Sequence, residues 1–178
     1  MKTNIALIGF MGTGKTVVGQ LLAKKLGRKF IELDSLIEQK AGKSIPEIFQ
    51  QDGEIAFREL EIELTKKVAG EKYSVIACGG GIVLNKINID RLRESSRIVY
   101  LTAPPKAILK RVSIEKGQRP LLKVGNPALA ILQLLKFRKP FYERAADITV
   151  STSKLDINAV AEQITEKLRE DESFNWQK

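Results

Sequence analysis

Histidine is absent from the 178-residue chain, and cysteine occurs once, at Cys78. Zinc and haem sites are built mainly from these two residue types, so we predict that the protein has neither. A single cysteine also excludes an internal disulfide framework, which favours the reducing cytoplasm as its location. Apolar runs such as residues 5–8 and 98–101 are far too short to span a bilayer. The polar N-terminus lacks the apolar region of a signal peptide, so we expect no export and no membrane partner.

Aromatic residues are also scarce, at 6% of the chain, whereas the formal net charge at pH 7 is +9. A basic surface could track nucleic acid, or it could concentrate anionic small molecules such as nucleotides. Proteins that bind single strands stack the bases on aromatic side chains. Here those side chains are few, and lysine and arginine are spread along the chain. We therefore expect small anionic ligands and no nucleic acid.

Short apolar runs alternate with segments of helical periodicity, and no linker or repeat divides the chain. Hydrophobic residues make up 43% of the sequence, enough for one α/β domain over residues 1–178 to bury a core. Strands are predicted at residues 4–8, 30–33, 73–77, 97–101 and 148–150. Strands alternating with helices favour a parallel sheet covered on both faces, with ligands at the carboxyl ends of the strands.

Several helix boundaries carry recognisable signals. Ser44 and Glu47 have capping-box spacing, and Asp156 is suited to cap the last helix. Asp34 or Ser35 could cap the helix after the second strand. Longer helices are predicted at about residues 52–68 and 126–142, and the polar tail after residue 170 is expected to fray.

The segment Gly9-Phe10-Met11-Gly12-Thr13-Gly14-Lys15-Thr16 matches the pattern G-x-x-x-x-G-K-[ST] of a phosphate-binding loop. It follows a predicted strand and precedes a predicted helix, which is the context that the motif requires. The glycines let backbone N–H groups point at phosphate oxygens, while Lys15 reaches the β- and γ-phosphates and Thr16 ligates Mg²⁺. A chance glycine-rich turn is the alternative. We predict that ATP contacts Gly12, Thr13, Gly14, Lys15, Thr16 and Val17.

Two carboxylates, Glu32 and Asp34, are predicted at the end of the second strand, where alternation directs them to the same side. One could support the metal through water, while the other orients or deprotonates an acceptor hydroxyl. For Asp34 the alternative is a plain helix N-cap.

Gly79-Gly80-Gly81 follows the third predicted strand. Consecutive glycines lose much conformational entropy on folding, so either something approaches this backbone closely or its φ/ψ angles are unusual. We interpret the triplet as a surface against which a small polyhydroxylated substrate lies, the alternative being a wide turn. Arg58 and Arg138 would form a bidentate clamp for a carboxylate if they met over one cleft. Taken alone, Arg58 favours a solvated side chain over a ligand-binding one, and Arg138 is ambiguous in the same way. Spacing does not show that the two arginines meet.

A glycine-bearing segment with little regular pattern follows Arg119-Pro120-Leu121-Leu122. We interpret residues 114–127, approximately, as a mobile lid that carries Arg119 to the phosphates. An ordinary surface loop is the alternative.

In combination these motifs resemble the shikimate kinase family, over about residues 5–150 and without a large insertion. The phosphate-binding loop alone would fit many families, whereas the ordered combination is specific. The matching pieces are residues 9–16, 30–34, 52–54, 57–59, 79–81 and 119–122, with Arg138, Pro140 and Tyr142. The resemblance implies a P-loop kinase fold, with a five-stranded parallel sheet of order 2-3-1-4-5 flanked by helices. It places a substrate-binding region at about residues 34–62.

The activity implied by the resemblance is ATP-dependent phosphorylation of the 3-hydroxyl of shikimate, a step toward chorismate and the aromatic amino acids. The expected partners are ATP and shikimate, the expected cofactor is Mg²⁺, and the protein is expected to be a monomer. The residues implied to bind shikimate are Asp34, Arg58, Gly79, Gly80, Gly81 and Arg138, with the two arginines on its carboxylate.

The resemblance also assigns the phosphate chemistry. Asp34 aligns the acceptor hydroxyl, and Lys15 and Arg119 neutralise charge on the transferred phosphoryl group, so these three are the predicted catalytic residues. Arg111 matches an arginine that lies beside adenine, and Arg119 also contacts ATP. The predicted metal contacts are Thr16 and, through water, Glu32.

Three features depart from the family pattern. Glu32 stands where the family usually has aspartate, which makes the outer carboxylate one methylene longer. Cys78 precedes the glycine triplet where a serine or threonine is common, and a thiol is the weaker hydrogen-bonding partner. Residues 151–155 match the adenine-contacting segment poorly, so no ATP contact is assigned there.

Two rival functions stay open at this point. One is another small-metabolite or nucleotide kinase, such as a gluconate kinase or a nucleoside monophosphate kinase. The other is a regulatory or nucleic-acid-associated nucleotide binder that phosphorylates no metabolite. The glycine triplet with Arg58 and Arg138 argues against the second, because a plain nucleotide switch has no need of them.

Overall fold

Five parallel strands form the centre of the molecule in the order β2-β3-β1-β4-β5, which is the order that the family resemblance implies. The structure is a computed structural model, and it describes residues 1–114, 126–153 and 156–176. The strands run over Asn4–Ile8 (β1), Lys29–Glu32 (β2), Ser74–Ala77 (β3), Ser96–Thr102 (β4) and Ile148–Ser151 (β5).

Helices cover both faces of this sheet. Within the described residues they are Lys15–Leu26 (α1), Leu33–Ala41 (α2), Ile45–Gln51 (α3), Gly53–Ala69 (α4), Lys86–Ser95 (α5), Pro105–Ile114 (α6), Pro127–Ala145 (α7) and Ile157–Arg169 (α8), with a 3₁₀ turn at Ile82–Leu84. The Glu47 carboxylate accepts from the backbone N–H of Ser44, and Asp156 accepts from Ala159 N–H, so both predicted caps are present. None of the helices described is long and apolar enough to cross a membrane.

Strand β1 divides the hydrophobic core into two clusters. Ala6 and Ile8 pack with residues of α2 to α7 on one face, while Ile5 and Leu7 pack with α1 and α8 on the other. Successive side chains of a strand point to opposite faces, so an uninterrupted apolar run is what a strand buried on both sides requires. Strand β3 lies between β1 and β2, and the three loops at their carboxyl ends are therefore neighbours.

The end of β2 differs from the sequence prediction. The strand stops at Glu32, which occupies the N-cap position of α2, and Asp34 lies in the first turn of that helix. Neither Asp34 nor Ser35 is therefore the cap, and strand alternation does not relate Glu32 to Asp34. Leu33, which ended the predicted strand, is fully buried as the first residue of the helix.

The segment between β3 and β4 contains a helix that the sequence analysis missed. In α5 the buried side chains are only Asn88, Ile89 and Leu92, because most of the remaining residues are charged. So short an apolar stripe gives a weak helical signal. Asn85 caps the helix by accepting from Ile87 N–H.

The prediction that the C-terminal tail frays is wrong for residues up to 176. Phe174 is only 3% exposed, and its backbone forms a parallel bridge to Lys2 beside β1. The Arg28 guanidinium lies over the rings of Phe174 and Trp176, with its central carbon 4.9 and 5.9 Å from their centroids. Aromatic and cation–π contacts thus fix a segment whose composition is largely polar.

Candidate active site

The phosphate-binding loop joins β1 to α1 at the carboxyl edge of the sheet. Gly14 has a φ angle of 90° and is the N-cap of α1, so the unpaired N–H groups of the first helical turn border the loop. Lys15 Nζ donates to the carbonyl oxygens of Gly9 and Phe10, at 2.9 Å each. A phosphate oxygen is a stronger acceptor than a neutral carbonyl. We therefore expect the Lys15 ammonium group to exchange these carbonyl oxygens for phosphate oxygens when a nucleotide binds.

Thr16 and Glu32 are joined directly. The Thr16 hydroxyl donates to Glu32 Oε1 at 2.5 Å, and Ser35 Oγ donates to the other carboxylate oxygen at 3.2 Å. Hydroxyl and carboxylate oxygens are the donors that Mg²⁺ prefers. Among the residues described, no group of three or more His, Cys, Asp or Glu side chains could hold a metal by itself. The donor set therefore fits a Mg²⁺ ion that also takes phosphate oxygens and water as ligands.

A cavity of about 220 Å³ opens beside the loop. It brings the phosphate-binding loop, both predicted carboxylates and the end of β3 to one space, with walls formed by Met11, Gly12, Gly14, Lys15, Thr16, Val17, Glu32, Asp34, Ala77 and Cys78. Burial raises the pKa of the Cys78 thiol to about 12, so this side chain is a neutral part of the wall.

The glycine triplet lies where the predicted substrate residues converge. A Cβ atom on Gly79 would be 2.7 Å from Asp34 Oδ1, and one on Gly81 would be 2.6 Å from both terminal nitrogens of Arg58. The φ angles of the triplet are outside the left-handed region. Close approach of the Asp34 and Arg58 side chains, rather than unusual backbone angles, is therefore what favours glycine at positions 79 and 81.

Arg138 approaches the same turn from α7. Its Nη1 atom is 3.8 Å from where a Cβ atom on Gly80 would be, and the side chain is buried. One turn along α7, the Tyr142 hydroxyl donates to the carbonyl oxygen of Gly80 at 2.5 Å. Burial raises the pKa of Tyr142, and Arg138 opposes that shift, so the hydroxyl stays protonated as a donor. The two predicted clamp arginines, Arg58 and Arg138, thus lie along one glycine turn.

Glu61 is a member of this cluster that the sequence analysis missed. Its side chain is 1% exposed, and Oε2 accepts from Arg58 Nη1 at 3.0 Å, while Glu54 holds the other side of the guanidinium. Burial raises the pKa of Glu61, and the charge of Arg58 opposes that rise. The position falls on the apolar stripe of α4 formed by Phe57, Leu64 and Val68. A carboxylate within an apolar helical stripe indicates a buried charge with a partner, and this was the signal in the sequence that could have identified Glu61.

The match to known proteins follows this geometry. A profile of the family described as shikimate kinase matches residues 11–169. The chain belongs to the shikimate kinase family. Among its curated relatives, the shikimate kinase of Thermodesulfovibrio yellowstonii is 47% identical over 161 residues, covering 90% of this chain and 92% of the relative. The shikimate kinase of Caldanaerobacter subterraneus is 48% identical over 161 residues, covering 90% and 93%.

A solved structure of a shikimate kinase supports the same assignment. The Acinetobacter baumannii enzyme, determined in complex with shikimate, superposes with a TM-score of 0.92 at 37% identity. The match covers 97% of this chain and 96% of that one. Of the two rival interpretations, neither a different metabolite kinase nor a nucleotide switch accounts for identity of this extent.

Arg111 makes structural contacts in this chain, and its place beside adenine, which the shikimate kinase resemblance implies, stays a prediction. Its guanidinium donates to the carbonyl oxygen of Gly12 at 3.0 Å, and to Oγ1 and the carbonyl oxygen of Thr152 at 3.0 and 2.8 Å. It therefore joins α6 to the phosphate-binding loop and to the segment after β5. Thr152 lies in the segment to which no ATP contact was assigned. The sequence could not reveal it as a partner of Arg111, because the two residues are 41 positions apart.

The remaining shikimate kinase feature, the lid over about residues 114–127, lies largely outside the described residues. Arg119 belongs to that part of the chain, so its predicted contact with ATP stays a prediction. The described flanks are Pro105–Ile114 (α6) on one side and Pro127–Ala145 (α7) on the other. Asn126 caps α7 by accepting from Leu129 N–H, as the sequence predicts for a helix that starts there.

Proposed function

We propose that Asp34, Arg58 and Arg138 hold shikimate against the glycine turn while the phosphate-binding loop presents the γ-phosphate of ATP to it. The observation that carries this proposal is the convergence of these three side chains on Gly79–Gly81, next to the cavity lined by Lys15 and Thr16. The product is shikimate 3-phosphate, with ADP as the leaving group.

Asp34 serves the acceptor. Its carboxylate lies against Gly79 and lines the phosphate-side cavity, so it is shared between the two halves of the site. The 3-hydroxyl oxygen attacks the γ-phosphorus, the bond from that phosphorus to the β–γ bridging oxygen breaks, and the hydroxyl proton passes to Asp34. The carboxylate also fixes the direction of attack, which is the larger requirement in phosphoryl transfer.

Lys15 and Arg119 supply positive charge to the phosphoryl group during transfer. Lys15 starts from its contacts with Gly9 and Phe10, within reach of the loop interior. Charge that is already in place costs no reorganisation at the moment of reaction. We assign Arg119 the same role from the lid, on the resemblance alone.

Arg58 and Arg138 bind the carboxylate of shikimate. The Arg58 guanidinium is oriented by Glu54 and Glu61 and packs over the Phe57 ring, with 5.1 Å from its central carbon to the ring centroid. Arg138 is buried, and its Nε atom has no hydrogen-bond partner among the residues described. Two fixed guanidinium groups at one turn fit a planar carboxylate.

Mg²⁺ is the proposed cofactor, held by the Thr16 hydroxyl and, through water, by Glu32. When bound, it supplies positive charge to the β- and γ-phosphates. We also propose that the monomer is the active form, in the cytoplasm and without a nucleic-acid or membrane partner. Sedimentation of the active enzyme at assay concentration tests the monomer.

A coupled assay for ADP tests the function. With ATP, Mg²⁺ and shikimate, we expect turnover and a product that carries phosphate on the 3-hydroxyl. Gluconate carries its carboxylate on an open chain, and nucleoside monophosphates carry no carboxylate, so both should give only background hydrolysis. Equal or faster turnover with a nucleoside monophosphate would refute the proposed use of Arg58 and Arg138. Equal or faster turnover with gluconate would refute shikimate as the preferred acceptor.

A further inference from the structure

A second cavity, of about 190 Å³, lies behind the glycine turn. The 3₁₀ turn contributes Val83 and Leu84 to its walls, α5 contributes Ile89, and the end of α7 contributes Phe141 and Ala145. These five side chains make an apolar interior with one aromatic ring. No residue assigned to ATP or shikimate lines it, so the cavity is separate from the candidate active site.

The rim of this cavity is basic. Lys86, Arg93 and Arg144 surround the opening, against the single carboxylate of Asp90. Arg93 is fixed there, because one of its terminal nitrogens donates to the carbonyl oxygens of Arg144 and Ala145, at 2.6 and 3.2 Å. Within residues 1–114, 126–153 and 156–176, no carboxylate pairs with Arg144. Lys86 and Asp90 form an ion pair in which the side chains are 86% and 47% exposed. So exposed a pair is weak, and a bound anion can therefore compete with Asp90 for Lys86.

We propose that this cavity binds a small carboxylate that carries a single apolar ring, with the ring inside and the carboxylate on Arg144 and Arg93. The volume sets the size, because a cavity of about 150 Å³ with apolar walls accommodates benzene. The walls favour a ring over a polar metabolite, since burying unpaired hydroxyl groups costs free energy. The rim favours an anion over a cation or a neutral molecule, and a guanidinium binds a carboxylate through two parallel hydrogen bonds.

The cavity also adjoins the substrate pocket through the backbone. Ile82 N–H donates to the carbonyl oxygen of Gly79 at 3.2 Å, and Leu84 N–H donates to that of Gly81 at 3.0 Å. On the other wall, Phe141 precedes Tyr142, whose hydroxyl bonds to Gly80. A bound ring therefore contacts the elements that support the glycine turn.

Phenylacetate is a suitable probe, and phenylacetamide is its neutral control of equal size. Because phenylacetate is a carboxylate, it could also occupy the Arg58–Arg138 clamp, so the protein is first saturated with shikimate. Amide chemical shifts are then followed by NMR as phenylacetate is added. We expect saturable changes centred on Val83, Leu84 and Phe141, with a Kd of about 1–10 mM for so small a ligand. Phenylacetamide should bind at least about fivefold more weakly.

Two variants on the rim should change the affinity in opposite directions. Arg144→Gln should raise the Kd for phenylacetate about fivefold or more, by removing the bidentate donor. Asp90→Asn should lower the Kd for phenylacetate about twofold, because it removes a negative charge that repels the ligand. The effect is small because interactions between exposed charges are weak. Arg169→Gln, an exposed arginine on α8, is the matched control and should leave the Kd unchanged.

Three results would overturn the proposal. They are equal affinity for phenylacetate and phenylacetamide, shift changes centred on the phosphate-binding loop instead of the 3₁₀ turn, and an Arg144→Gln variant with native chemical shifts that binds phenylacetate as well as the wild type. Chemical shifts are also recorded while shikimate is added, before phenylacetate, and they test shikimate binding separately. The coupled assay for ADP tests the proposed function, so failure of either proposal can be distinguished from failure of the other.

Discussion

Asp34 lies in the first turn of α2, between the phosphate-side cavity and the glycine turn. Asp34→Asn keeps the size of the side chain but removes the acceptor for the hydroxyl proton, so kcat should fall by roughly 10²–10⁴-fold. The affinity for an ATP analogue, measured by calorimetry, should hardly change, because the side chain serves the acceptor. Glu162→Gln, an exposed carboxylate on α8, is the control and should retain full turnover. Loss of ATP binding with an intact transfer rate per complex would reverse the roles assigned here.

Arg58 and Arg138 are expected to share one carboxylate. Lysine cannot form two parallel hydrogen bonds, so Arg58→Lys and Arg138→Lys should each raise the KM for shikimate about tenfold or more, with a smaller change for ATP. A tenfold change corresponds to about 1.4 kcal/mol, close to the lower end of the roughly 1.5–3 kcal/mol of a hydrogen bond to a charged group.

The double variant provides a sharper test of the same clamp. If both arginines hold one group, their effects on KM should be non-additive. A shikimate analogue with an amide in place of the carboxylate should bind the wild type poorly and lose little more in the variants. An amide analogue that binds the wild type as well as shikimate does would contradict the clamp.

Glu61 gives the cluster a pH dependence. Burial raises its pKa in the folded state above the ordinary value of a glutamate. The folded protein therefore binds more protons at this residue than the unfolded chain, and the associated stability is present below the unfolded pKa and lost as pH rises through the folded pKa. The free energy of unfolding of the wild type, relative to Glu61→Gln, should thus be highest near about pH 4 and decrease toward neutral pH. Urea melts at a series of pH values measure it, and a relative stability that increases with pH would show that the Arg58 ion pair outweighs burial.

At the scale of elements, the sequence predicted what depends on neighbours along the chain. The phosphate-binding loop and the caps at Ser44, Asn126 and Asp156 are local patterns, and the structure contains them. The start of α2 was misplaced because Glu32 and Leu33 fit a strand end and a helix start equally well. Tertiary burial of Leu33 decides between them.

The C-terminal tail was mispredicted because its partners are far away in the sequence. Arg28 donates to the carbonyl oxygen of Asn175, 147 residues away, and Phe174 packs into the cluster beneath α1 and α8. No window of the tail itself contains that information. The candidate site shows the same limit, since Arg58, Arg138 and Gly81 meet only through the fold, and the resemblance rather than spacing predicted their role.

The packing of this tail can be measured. Phe174→Ala should lower the free energy of unfolding by about 3 kcal/mol or more, as expected for a large buried aromatic side chain. Phe137→Ala, at a position 59% exposed, is the matched control and should cost less than about 1 kcal/mol. Chemical denaturation followed by the fluorescence of the single tryptophan, Trp176, reports both. The tail lies at the edge of the sheet opposite the candidate site, so kcat should be unchanged. If the two variants lowered the free energy of unfolding equally, the tail would be frayed, as its composition suggests.

At the scale of the whole molecule, the charge of +9 acts on both proposed substrates, because ATP and shikimate are anions. A positive potential raises the local concentration of anions, and salt screens it with a Debye length of about 10 Å at 0.1 M. Raising the ionic strength from about 0.01 to 0.5 M should therefore lower kcat/KM for both substrates several-fold, while kcat at saturation stays nearly constant.

A variant distant from the site separates this general field from contacts within the site. Lys66 and Lys67 are exposed at the end of α4, beyond which the chain enters β3 at the edge of the sheet opposite the phosphate-binding loop. Replacing both with glutamine removes two charges without touching the candidate site. It should lower kcat/KM modestly at low salt and have no effect at high salt, where the wild type and the variant should coincide. If kcat/KM of the wild type were independent of salt, the basic surface would have no part in capturing these substrates, and only Lys15, Arg58, Arg138 and Arg119 would attract them.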